Sequence, residues 1–86
     1  MSYFIEIQSI FMKVCKAGID KAMNPVFCEA KLYKGKIANK VIFYLYDFLN
    51  NKHYEKHVCL TDNEYDVIDD NFAYFCKFSE KYAEIA

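Results

Sequence analysis

Residues 53 to 60 bring the two histidines of the chain close to a cysteine and a glutamate, the residue types that bind metals and activate thiols. His53, Glu55, His57 and Cys59 alternate, so a strand would project all four from one side. On a strand, however, the rings of His53 and His57 would lie about 13 Å apart, too far for one ion. The sequence therefore favours surface histidines. A regulatory domain that binds a metal or small ligand through His53, His57 and Cys59 is the alternative.

A catalytic thiol is the second chemistry that this segment suggests. His57 and Cys59 lie two residues apart on one predicted strand face, but thiol catalysis also needs an orienting residue and an oxyanion hole, and no pattern indicates either. With Gly18 and Gly35 as the only glycines, the chain has no phosphate-binding loop and no dinucleotide motif. We expect no enzymatic activity and no cofactor.

An acidic run without lysine follows the histidines. It contains Asp62, Glu64, Asp66, Asp69 and Asp70. In one interpretation, carboxylates in the first helical turns complement the helix dipole and the others are solvated. In the other, the five form a negative surface that docks on a basic partner, such as the nucleic-acid groove of another protein. The spacing leaves both open, and the second is our functional prediction.

Composition indicates one small, ordered domain over residues 1 to 86. The chain is 55% hydrophobic and 19% aromatic, far above the composition of a disordered segment. Its eleven positive residues are all lysines and its net charge is −1. Because lysine lacks the planar guanidinium that recognises phosphates and guanine edges in pairs of hydrogen bonds, we expect no direct nucleic-acid binding.

The chain also lacks the signals of export or membrane insertion. Its longest apolar run, residues 41 to 46, is far shorter than the roughly 20 residues of a membrane span, and no basic leader opens the sequence. The four cysteines form no CxxC pair, which favours a reducing compartment over a disulfide framework. We expect a soluble, cytoplasmic protein with free, mostly buried thiols.

Two helices flank the segments that carry these residues. Apolar positions repeat with helical spacing over residues 2 to 23, with Gly18 inside the apolar stripe where another backbone can approach, and Asn24-Pro25 ends the pattern. The apolar arc of this helix is wide, so it needs cover on more than one side. Thr61 and Glu64 have the spacing of a capping box and begin a second helix that extends to about Tyr82.

Three strands lie between the helices. Alternating or β-branched and aromatic residues predict strands over 26 to 33, 41 to 48 and 53 to 60, although the apolar residues between 37 and 50 also fit one face of a helix. The predicted fold is α+β, in the order α-β-β-β-α, with a three-stranded antiparallel sheet packed against two helices. Double-stranded RNA-binding domains share this element order. The acidic start of the second helix here would repel phosphate, so no function carries over.

Aromatic residues of the middle strand offer a further surface. If both helices cover one face of the sheet, the residues at every second position of the middle strand must face away from them. These are either Phe43 and Leu45 or a second set. The second set consists of Ile42, Tyr44, Tyr46 and Phe48. Aromatic residues on an open face indicate a subunit interface or a binding surface, so we predict a homodimer and a contact role for Tyr44 and Tyr46.

Together these features predict a non-enzymatic protein-protein interaction module. A small stand-alone domain rich in lysine, asparagine and tyrosine is typical of AT-rich genomes and suits an inhibitor from a phage or mobile element. Such an inhibitor would dock its acidic helix on a basic, nucleic-acid-binding protein.

Overall fold

The elements of the fold follow the predicted order. The structure is a computed structural model and describes residues 2 to 85. Its elements are helix α1 (Ser2–Gly18), a short 3-10 turn (Lys21–Met23), strands β1 (Pro25–Lys34), β2 (Asn39–Asp47) and β3 (Lys52–Leu60), and helices α2 (Asp62–Asp70) and α3 (Phe72–Glu84). The α+β prediction is confirmed. Within residues 2 to 85, no helix has the length and apolarity to cross a bilayer.

The sheet is antiparallel with β2 in its centre. Residues 39 to 47 form a strand because their β-branched and aromatic side chains pack on both faces of a pleated surface. A bulge at Cys28 shifts the register of β1 between Phe27 and Glu29. Because the bulge adds a residue, Phe27 and Ala30 face the same side of the sheet and both pack in the core.

Helix α1 ends five residues before the predicted boundary. It stops at Gly18, and the chain turns through the 3-10 turn, where the Asp20 carboxylate accepts a hydrogen bond from the Ala22 amide at 3.0 Å. Asn24 then adopts a left-handed conformation, with φ of 51°, that directs the chain into β1. A side chain at Gly18 would meet Phe43 and Val58. The predicted close approach is therefore made by side chains of the sheet rather than by another backbone.

The second predicted helix is divided at Asn71. The Asn71 side-chain amide donates to the Val67 carbonyl at 2.8 Å, and its backbone amide donates to the Ile68 carbonyl at 3.2 Å. Asparagine side chains compete with the backbone for helical hydrogen bonds in this way. The result is a separate α2 and α3, both on the side of the sheet that carries α1.

The core lies between the helices and one face of the sheet. Phe11, Phe43 and Phe75 are fully buried at its centre, with ring centroids of Phe75 at 5.2 Å from Phe11 and 5.8 Å from Phe43. Each such aromatic pair contributes about 0.5 to 1.5 kcal/mol beyond the burial of its surface. Because Val41, Phe43 and Leu45 of β2 point into this core, Ile42, Tyr44 and Tyr46 face away from the helices.

Candidate functional site

The side of the sheet away from the helices, here called the outer face, gathers most of the reactive side chains. It consists of Val26, Glu29, Lys31 and Tyr33 from β1, Lys40, Ile42, Tyr44 and Tyr46 from β2, and His53, Glu55, His57 and Cys59 from β3. Antiparallel register places Tyr44 between Glu29 and Glu55, and Ile42 between Lys31 and His57. The prediction that four alternate residues of β3 project from one side is confirmed.

The two histidines have different partners on this face. His57 Nε2 lies 2.8 Å from Glu55 Oε1, and its Nδ1 lies 3.3 Å from Lys40 Nζ. Because an ammonium group only donates, Nδ1 is the acceptor and the Nε2 proton is donated to Glu55. The His53 ring instead packs on Tyr46, with centroids 4.8 Å apart. Within residues 2 to 85, no group of three or more His, Cys, Asp or Glu side chains is placed to hold a metal ion.

Polar groups cover the aromatic residues of the outer face. The Lys31 ammonium lies 5.4 Å from the Tyr44 ring centroid, and Lys40 lies 5.7 Å from that of Tyr33. Desolvation, and then the proximity of Tyr33 and Glu55, raise the pKa of the Tyr44 hydroxyl, so Tyr44 is a neutral hydrogen-bonding group. Ile42 is only 5% exposed beneath these side chains. The outer face is a polar surface rich in tyrosine rather than a bare apolar patch.

Phe48 does not belong to the outer face, contrary to one of the two sets considered for β2. Strand β2 ends at Asp47, and Phe48 lies in the following turn with 71% of its surface exposed. This turn is ordered by the Asp47 carboxylate, which accepts hydrogen bonds from the Leu49 and Asn50 amides and from the Asn50 side chain. The Asn50 side-chain hydrogen bond is the main cause that lowers the pKa of Asp47.

Glu64, predicted as part of the acidic contact surface, is instead held inside the fold. The capping box is confirmed, because the Glu64 amide donates to Thr61 Oγ1 at 3.1 Å and the Thr61 amide donates to Glu64 Oε1 at 2.9 Å. Lys13 of α1 lies 2.8 Å from Glu64 Oε2, and Glu64 is 7% exposed. Burial alone would raise the pKa of Glu64, but the hydrogen bonds from Lys13 and Thr61 outweigh it and lower that pKa.

Three of the other predicted carboxylates remain free for external contacts. Asp62 is exposed but accepts a hydrogen bond from the Asn39 side chain at 2.8 Å. Asp66, Asp69 and Asp70 are exposed, and none of them forms an ion pair within the described part of the chain. These three aspartates, at helical positions i, i+3 and i+4, form a compact negative surface that we call the acidic patch.

The cysteines are free thiols, as predicted, but they are not mostly buried. Cys15 is buried, with its Sγ atom 3.4 Å from Ser79 Oγ, and burial raises the pKa of its thiol to about 11. Cys28 and Cys59 are exposed. His57 bonds to Glu55 and Lys40 rather than to Cys59, so the structure does not form the His57 and Cys59 pair that a thiol mechanism requires.

Sequence reasoning missed an apolar groove between α1 and α3. Its walls include Met12, Tyr74 and Ile85, which are 40%, 41% and 53% exposed. The wide apolar arc of α1 was the signal in the sequence, because a helix with such an arc needs cover on more than one side. The structure covers the centre of that arc with the sheet, α2 and α3, and leaves Phe4, Ile5 and Met12 exposed.

Comparison of the chain with protein-family models, with curated proteins and with solved structures finds no match. The outer face, the acidic patch and the groove between α1 and α3 are candidate functional surfaces of this α+β domain.

Proposed function

We propose that this chain is a non-enzymatic protein-protein interaction module that docks its acidic patch on a basic partner. The observation that carries the proposal is that some carboxylates of the acidic run are bound within the fold and others are not. Glu64 and Asp62 are engaged by Lys13, Thr61 and Asn39, whereas the acidic patch has no ion-pair partner within residues 2 to 85. Exposed carboxylates without an internal ion pair are available to a partner of opposite charge.

The geometry of the acidic patch suits a partner that normally binds phosphates. Its three carboxylates lie on one helical face, with neighbouring Cβ atoms about 5 to 6 Å apart, which concentrates negative charge on a small convex surface. Such a surface competes with a nucleic-acid backbone for the lysines and arginines of a binding groove. An inhibitor of a nucleic-acid-binding protein, of phage or mobile-element origin, is the specific form of this proposal. The lysine-rich, arginine-free composition of the chain supports it.

The test compares two variants with the same change in charge. One replaces Asp66, Asp69 and Asp70 with asparagine. The control replaces exposed carboxylates elsewhere, Glu6, Glu80 and Glu84, with glutamine. In affinity capture from nuclease-treated host extract, the wild type and the control should retain a basic nucleic-acid-binding protein that the aspartate variant loses. Added salt should weaken this capture. Equal capture of the same basic protein by all three would refute the role of the acidic patch.

We further propose that the outer face supports self-association. It carries Lys31 and Lys40 against Glu29 and Glu55, so a symmetric pairing of two copies can match opposite charges across the axis. Tyr44 and Tyr46 supply the amphipathic rings that protein interfaces favour. Sedimentation velocity should show a dimer for the wild type and a monomer after replacement of both tyrosines with serine. A strict monomer at high micromolar wild-type concentration would exclude this association.

A further inference from the structure

The groove between α1 and α3 has the shape and chemistry of a helix-binding site. It encloses about 380 Å³, and its apolar lining includes Met12, Tyr74, Phe78 and Ile85. Fully buried Phe11 supports the floor, since its ring centroid lies 5.7 Å from that of Tyr74 and 5.5 Å from that of Phe78. A floor fixed by the core needs little ordering when a ligand binds, which lowers the entropic cost of binding.

The length of the groove fits about three turns of an incoming helix. Tyr74 and Ile85 are eleven residues apart along α3 and its C-cap, a distance of about 16 Å at the helical rise per residue. Amphipathic helices dock in such grooves through apolar side chains at positions i, i+3 or i+4, and i+7, which cover a similar length. The groove therefore accepts a helix rather than a single side chain.

The charge of the groove selects the kind of helix. Among the described residues that line it, the charged ones are Lys77 and Lys81, both exposed on α3. From this geometry we infer that the groove binds an amphipathic helix of a partner protein, with aspartate or glutamate beside the apolar face of that helix. This inference goes beyond the proposed function, because it concerns a second surface with the opposite charge.

A second copy of this chain does not fit the groove. Pairing two grooves across a symmetry axis brings Lys77 and Lys81 of both copies together, and no carboxylate lines the groove within residues 2 to 85 to compensate them. The acidic helix of the chain, α2, does not supply the occupant, because Ile68 is fully buried in its own core and Tyr65 and Val67 pack against that core. The occupant is therefore a helix from a different protein.

The test uses a synthetic peptide, locked as a helix by a side-chain staple, with leucines at i, i+4 and i+7 flanked by glutamates. A matched peptide carries lysines in place of the glutamates. Titration into ¹⁵N-labelled protein should shift the amide resonances of Met12, Tyr74 and Phe78 for the glutamate peptide, with at least about tenfold weaker binding of the lysine peptide. Absence of shifts at these residues at millimolar glutamate peptide, or equal binding of both peptides, would overturn the inference.

Charge reversal separates the groove from general electrostatic attraction. The variant with Lys77→Glu and Lys81→Glu should prefer the lysine peptide, whereas the control with Lys34→Glu and Lys36→Glu should keep the wild-type preference. Circular dichroism melting curves establish that both variants are folded. Unchanged peptide preference in the groove variant would refute the role of these lysines. A last measurement tests binding of the protein to vesicles of phosphatidylglycerol. If the protein bound these vesicles but not the glutamate peptide, the groove would be a membrane-contacting surface instead.

Discussion

Replacing Gly18 with alanine should destabilise the protein, although alanine is the better helix former. An ideal Cβ atom at this position would lie 2.9 Å from Val58 Cγ2 and closer still to Cδ2 and Cε2 of Phe43. Phe43 is fully buried and packs against Phe27 and Phe75, so a shift of its ring would disturb these neighbours. Overpacking of this kind costs about 1 to 3 kcal/mol. Alanine recovers up to about 1 kcal/mol of helix propensity, and less at the last residue of a helix.

The steric cost therefore exceeds the gain, and the free energy of unfolding should fall by about 1 to 2 kcal/mol. For a domain of this size, this corresponds to a decrease in Tm of about 5 to 15 °C. Urea and thermal unfolding followed by circular dichroism measure both quantities. Phe43→Leu removes part of the ring, so Gly18→Ala should cost less in that background, with a coupling of at least about 0.5 kcal/mol. Unchanged or increased stability of Gly18→Ala in the wild-type background would refute the close packing of α1 on the sheet.

Three further predictions concern polar groups of the fold. Because the pKa values of Asp47 and Glu64 are lowered in the folded state, their stabilisation is complete above the ordinary carboxyl range and should be lost as the pH falls below about 4. The urea midpoint of the wild type should therefore decrease below this pH, and that of a variant with Asp47→Asn and Glu64→Gln should decrease less. If the urea midpoints of both proteins changed equally with pH, Asp47 and Glu64 would not be the groups responsible. Tyr54 has a buried hydroxyl without a hydrogen-bond partner in the described residues, so Tyr54→Phe should leave the free energy of unfolding unchanged or raise it. A loss above about 1 kcal/mol would reveal a partner for that hydroxyl. Thr61→Ala should cost about 1 kcal/mol through loss of the N-cap, whereas Thr61→Ser should be nearly neutral, and equal costs for the two would argue against capping by the hydroxyl.

Local signals predicted the elements of this fold well. The capping box of Thr61 and Glu64 depends only on residues three apart, and both of its hydrogen bonds are present. The β-branched and aromatic residues of 41 to 48 favoured a strand over a helix, and β2 confirms this choice. Apolar alternation on both faces, however, does not indicate which face the helices cover. That choice depends on contacts with Phe11 and Phe75, which are distant in the sequence.

Features set by distant residues were harder to predict. Glu64 was placed among the surface carboxylates because its ion-pair partner, Lys13, lies in another helix. The break at Asn71 has no strong local signal, because a single asparagine is tolerated in many helices and the division is marked only by the hydrogen bonds that Asn71 makes to Val67 and Ile68. Exposure of Cys59 on the outer face likewise follows from strand register and from which face the helices occupy. Candidate surfaces are therefore less predictable than the elements that carry them.

The contact between α1 and α3 also determines when the chain can fold during its synthesis. Cys15 and Ser79 meet in the core although they are 64 positions apart. At translation rates of about 5 to 20 residues per second, α1 waits about 3 to 13 s between its own synthesis and that of the residues that cover it. The part of α1 that faces α3, where Phe11 contacts Tyr74, Phe75 and Phe78, lacks its native cover throughout this interval. The native core of this domain is therefore complete only after α3 has left the ribosome.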